Sequence, residues 1–190
     1  DHLAAEVDRI MVELPHDRIS YQWDVCQEVL MWEGYLDQSK HPDYREEIFT
    51  SLAWVADLVP DDVELGYHLC YGSPGDEHLI LPKDMGILVE VANGIAAGVR
   101  RPINYIHMPV PNDRNDEAYF APLSGLKLPA GTDLYLGCVH HGDAGGNARK
   151  LEMAQKFARV AGVGAECGLG RGKPEFLADI LGQHRKLAGG

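Results

Sequence analysis

Strand-like and helix-like segments alternate along this chain, and the alternation predicts an α/β fold of parallel βα units. Two further observations agree with it. Reactive side chains fall at the carboxyl ends of the predicted strands, where α/β folds place their ligands. No internal repeat, low-complexity tract or linker divides the sequence, so residues 1–190 read as a single domain.

The elements follow in order. Leu3, Val7, Ile10, Met11 and Leu14 share one face of a helix over 3–14, which Pro15 interrupts. RISYQWDV at 18–25 reads as the first strand. A helix over 46–58 carries Ile48, Leu52, Val55 and Ala56, and VELGYHLC at 63–70 is the second strand. SPGDEH at 73–78 is a loop. An amphipathic helix over 84–99 leads to the strand PINYIHM at 102–108. The segment from His107 to Thr132 shows no clear helical pattern, and its polar stretch 109–120 is a candidate lid. TDLYLGCV at 132–139 is the fourth strand, followed by a helix over 147–161 on Leu151, Ala154, Ala158 and Ala161. VGAEC at 163–167 is a short fifth strand, and a last helix opens at Pro174.

Composition narrows the function classes. Seventeen basic residues against 29 acidic ones give a net charge of -12, which disfavours phosphate backbones and anionic membranes as partners. There is no apolar run of membrane-spanning length and no secretion signal. Four widely spaced cysteines in a chain of this size point to a cytoplasmic protein with reduced thiols, although their even number permits a disulfide.

The strand ends carry Asp24 and Cys26, then His68 and Cys70, then His107, then Cys138 and His140, then Glu166 and Cys167. In a strand, residues i and i+2 face the same way, so His68 and Cys70 form a pair. His68, Cys70 and Cys167 offer one imidazole and two thiolates, a donor set suited to zinc. Three protein ligands leave a fourth position open, as catalytic zinc sites do, and His107, Cys138 or His140 could close it into a structural site. The alternative is packing, since free cysteine is among the most buried residue types. Cys26 and Cys138 read as packed side chains, and His78 and His141 as solvated loop residues.

Four stretches carry a family resemblance: YHLCYG at 67–72, ECGLGR at 166–171, YLGCVHHGD at 135–143 and YQWDVCQE at 21–28. Together they resemble the carboxyl-terminal half of the cobalamin-independent methionine synthase and uroporphyrinogen decarboxylase-like superfamily, a (β/α)8 TIM barrel. The resemblance implies that His68, Cys70 and Cys167 hold zinc, that Asp24 lies near a substrate amine, and that His140 carries a proton. Methionine synthases of this family add a Glu ligand. Here His107 occupies its approximate place, and the family's coenzyme M methyltransferases use His, Cys and Cys alone. Five strands are about the C-terminal part of an eight-stranded barrel. The chain starts DHLAAEVDRI, without Met, so the expectation is a truncated barrel whose other strands precede residue 1, with homo-oligomer formation a way to cover open sheet edges.

The expected function is zinc-dependent methyl transfer from a methyl donor to a small-molecule thiol, methionine synthase-like, with His140 or His107 holding a proton or orienting the donor. One alternative is a metal-free uroporphyrinogen decarboxylase-like enzyme using Asp24, His68 and His107, with Arg114 and Arg171 as the rim cations. Another is a non-catalytic binding module.

Overall fold

Five parallel strands pair in sequence order, β1-β2-β3-β4-β5. They are β1 (Ser20–Val25), β2 (Glu64–Leu69), β3 (Tyr105–Pro109), β4 (Asp133–Val139) and β5 (Gly162–Ala165). The computed structural model describes residues 2–38, 42–72 and 78–189, with the side chain of Arg171 also outside the described set. The helices are α1 (His2–Glu13), α2 (Gln27–Trp32), α3 (Tyr44–Ala56), α4 (Gly86–Gly98), α5 (Glu117–Phe120), α6 (Ala144–Gln155) and α7 (Leu177–Leu187). The predicted α/β class with parallel βα units is what forms.

Sequential strand order has a direct consequence. Right-handed crossovers that always step in one direction put their helices on the same side of the sheet. One parity of each strand faces them: Val25, Leu65, Tyr67, Leu69, Ile106, Met108, Leu134 and Leu136 are buried in one core with Val7 of α1, Val29 of α2, Leu52 of α3, Leu88 of α4 and Ala154 of α6. Register sets the other parity in rows. Gln22, Gly66, Tyr105 and Asp133 lie side by side, and then Asp24, His68, His107 and Tyr135. That second face is polar and partly open, with Gln22, Asp24 and Tyr135 exposed. This is the layout of a barrel segment.

Glycine makes room on that face. A Cβ on Gly66 would sit 2.1 Å from the Tyr105 ring, and one on Gly162 would sit 2.5 Å from the Tyr135 ring. Each large ring leans over a neighbouring strand that lacks a side chain.

Several element boundaries differ from the sequence reading. α2 was not expected. It is only six residues long, too short for a helical period to show, yet Val29, Leu30 and Trp32 are buried. Gly34 (φ +78) ends it with Gly34 N–H to Met31 O and Tyr35 N–H to Leu30 O, a Schellman cap. α6 starts three residues before the predicted helix because the Asp143 side chain accepts the Gly146 N–H at 2.9 Å. It ends at Gln155, where the chain tightens to i,i+3 bonds from Lys156 and Phe157. The predicted lid is not a loose loop. Asp116 caps α5 through Tyr119 N–H, Arg114 lies over the Tyr119 ring, and Tyr119, Phe120 and Leu123 are fully buried. The predicted loop at 73–78 lies outside the described residues except for His78.

Arg101, expected on the wrong rim for a ligand, has a structural task. Its guanidinium donates to the carbonyls of Val59, Pro60 and Val63, closing the turn between α3 and β2. Arg101→Met should lower stability by roughly 2–4 kcal/mol, because charged donors are lost and carbonyls are stranded. Urea unfolding measures this, and a loss below about 1 kcal/mol would mean the turn finds other donors.

Candidate metal centre

Three side chains from two strand ends converge on one point. His68 and Cys70 come from β2 and the residue after it, and Cys167 from the turn after β5. Their ligand atoms all lie within 4.8 Å of one another. Cys70 Sγ and Cys167 Sγ are 3.3 Å apart. Tetrahedral zinc with bonds near 2.3 Å spaces two sulfurs by about 3.8 Å, so a small widening suffices. His68 Nδ1 is bonded to His107 Nδ1 at 2.7 Å. His68 Nε2 is buried with no hydrogen-bond partner. A buried imidazole nitrogen rarely stays unsatisfied, and a cation beside two sulfurs would satisfy it. The three residues therefore fit zinc.

The thiols are tuned by their pairing. The hydrogen bond to Cys167 pushes the Cys70 thiol far up, and burial adds to this. Two thiolates this close repel, so without a cation the pair holds its protons. Cys26 flanks Cys70 because Val25 O accepts the Cys70 N–H, yet Cys26 is not among the three that converge. Burial, then the charge of Asp24, raises the Cys26 thiol. Cys138 lies in the helix-side core as expected, and burial pushes its thiol up to about 12.

A cavity of about 290 Å³ opens beside the cluster, lined by Gln22, Asp24, His68, His107, Glu166 and Cys167 among others. Asp24 stands beside His68 in register, at the exposed side of this cavity. His107 is largely buried, and burial followed by the charge of His68 lowers it to about 3, so the ring is neutral.

His140 does not share this cavity. Its Nε2 donates toward Val110 O at 2.8 Å, and its Nδ1 lies 3.7 Å from Glu166 Oε2. It lines two adjoining cavities, and Glu166 forms the wall common to all three. Burial lowers the His140 imidazole. His78, expected to be solvated, is instead half-buried against Glu166, with Nε2 2.5 Å from Oε1. Glu166 and His78 are the residues sequence reasoning missed. Glu166 had been noticed only as a strand-end carboxylate, and His78 follows a loop with no periodic signal. His141 is half exposed, stacked on Phe176 and bonded to Asp179. Arg114 is committed to Asp116 and the Pro82 carbonyl, so it does not serve as a rim cation.

Among the described residues no helix is long and apolar enough to cross a membrane. Comparison with family models, curated proteins and solved structures finds no match to this chain.

Burial lowers the His78 imidazole, but the hydrogen bond and charge of Glu166 outweigh it, and the net shift is upward from 6.5. Replacing Glu166 by Gln removes its charge, leaving burial opposed by the Cys167 charge and the Ile80 backbone. The His78 midpoint should then fall, a change that NMR of the ring protons reads directly. A wild-type midpoint below 6.5 would contradict the contact.

Proposed function

We propose that the chain is a zinc-dependent enzyme that transfers a methyl or other alkyl group to a small thiol, built on the C-terminal part of a barrel of the cobalamin-independent methionine synthase type. The observation that carries the reading is the convergence of His68 with the sulfurs of Cys70 and Cys167 beside a cavity, on a ring whose Nε2 is buried and unpartnered. His68, Cys70 and Cys167 would hold the zinc, which would supply the charge that turns a small thiol, with an ordinary pKa of ~8.5, into its thiolate.

The chain's own residues do the rest. The cluster sits at the carboxyl ends of parallel strands, where the cavity opens. Asp24 places a carboxylate at the cavity's exposed side, suited to a substrate ammonium. Glu166 lies between the cavity and the His78 and His140 imidazoles, a route by which a proton can leave the site. The resemblance supports the three ligands, Asp24 beside an amine and His140 as proton carrier.

Elemental analysis of protein purified without added metal should give about one zinc per chain, and Cys167→Ala should lose it. Absence of zinc after reconstitution under reducing conditions would sink this reading and leave a metal-free enzyme or a binding module. With methyl iodide as a generic donor, zinc-loaded protein should methylate homocysteine. Asp24→Asn should then raise KM for homocysteine about tenfold, near 1.4 kcal/mol of lost charge pairing. It should leave KM unchanged for a thiol with no amine. Equal effects on both thiols would remove Asp24 from amine recognition.

A further inference from the structure

We propose that His107 is a positioning residue that takes the Nδ1–H of His68 and so leaves its Nε2 as the lone pair open to a cation. The consequence for metal binding rests on the zinc reading above; the hydrogen-bond order itself does not.

Two imidazoles joined through Nδ1 and Nδ1 at 2.7 Å share one proton between them. Which ring owns it is decided at the far side of the pair. The other His107 nitrogen, Nε2, shares the space above Gly137 with the Ala165 carbonyl oxygen, the two lying 2.9 and 3.1 Å from a Cβ built there, and a carbonyl can only accept, so Nε2 is the donor of that contact. A neutral imidazole has one N–H. If His107 spends it on Ala165, its Nδ1 has only a lone pair to offer. His68 must then donate from Nδ1, which leaves Nε2 as a lone pair. That is the buried nitrogen with no protein partner, on the ring whose neighbours are Cys70 and Cys167. The proton order runs from His68 Nδ1–H to His107 Nδ1, and from the other His107 nitrogen to Ala165 O.

Backbone holds the second ring in place. A Cβ on Gly137 would lie 2.7 Å from the His107 ring, and one on Gly164 would lie 2.8 Å from it. The two glycines, adjacent in register on β4 and β5, form a slot the ring fills. Metal-binding histidines usually give their second N–H to a carboxylate or a carbonyl. Here a second histidine, on β3, passes the demand on to a carbonyl of β5, two strands further along the sheet. Both His107 nitrogens are used in this chain of bonds, which sets it apart from a group that touches substrate.

The test has two arms. Long-range 1H–15N NMR of metal-free, histidine-labelled protein, assigned with His68→Gln and His107→Asn, should show His68 protonated at Nδ1 and His107 at Nε2. Protonation of His68 at Nε2 would overturn the proposal. In the second arm, zinc affinity is measured by competition with a chromophoric chelator. His107→Leu fills the slot without an acceptor and should weaken zinc binding by about 10–100-fold. His107→Asn puts an oxygen near the place of Nδ1, accepts the same proton, and should stay within a few-fold of wild type. Wild-type affinity in His107→Leu, or equal loss in Leu and Asn variants that melt like wild type, would overturn it. If His107→Leu does not fold, Gly164→Ala displaces the ring instead and should show the same loss. Wild-type protein that binds no zinc defeats the metal reading, while the NMR arm still decides this one.

Discussion

The arrangement depends on one constraint, the single direction in which the chain winds. Because each strand pairs with the next one in sequence, the helices collect on one side and the other side of the sheet is left to polar side chains. Parallel register then does what no local motif could. It brings Asp24, His68 and His107 into one row, from residues dozens of positions apart. Cys70 follows His68 by two residues and so points the same way, toward the turn after β5 that carries Cys167. The donor cluster is a by-product of topology as much as of sequence.

Holding polar groups there requires space and partners. Space comes from glycines opposite rings: Gly66 under Tyr105, Gly162 under Tyr135, Gly137 and Gly164 around His107. Partners come from a second network behind the site. Lys150, fully buried, bonds Asp143 and Asn112, while Asn147 bonds the backbone of His140 at both its N–H and its carbonyl. Burial alone would raise Asp143, the α6 cap, but the Lys150 ammonium and the Gly146 N–H together hold it below the usual carboxylate range. These contacts fix the β4–α6 turn, and with it His140 and the wall of the neighbouring cavity.

Much of this was legible in the sequence. The five strands lie where period and punctuation put them, and His68, Cys70 and Cys167 meet as their spacing at strand ends suggested. The reason is that strand ends, hydrophobic parity and i,i+2 geometry are local. What was not legible depends on neighbours. α2 and α5 are too short to show a period, and packing of Trp32 and Tyr119 makes them. His78 looked like a solvated loop residue because nothing near it in sequence predicts the approach of Glu166 from β5. His140 sits at its predicted strand end but turns toward Val110, so side-chain direction at a rim cannot be read from position alone.

The state of the sulfurs argues for the kind of chemistry the site supports. A cysteine that acts as a free nucleophile needs a lowered pKa, from a helix N-terminus or a nearby cation. Cys70 has the opposite surroundings: a second thiol 3.3 Å away, burial, and a third thiol on its flank, all of which raise it. Such a pair makes a poor nucleophile, and under the zinc reading a bound divalent cation would offset the thiolate–thiolate repulsion that keeps the protons on. Binding must then release protons, and affinity must rise with pH until both thiols are given up. Cys26 matters here by staying outside the converging set. Two sulfurs and one imidazole make up the converging set among the described residues, and the cavity bordered by Asp24 and Glu166 opens beside it.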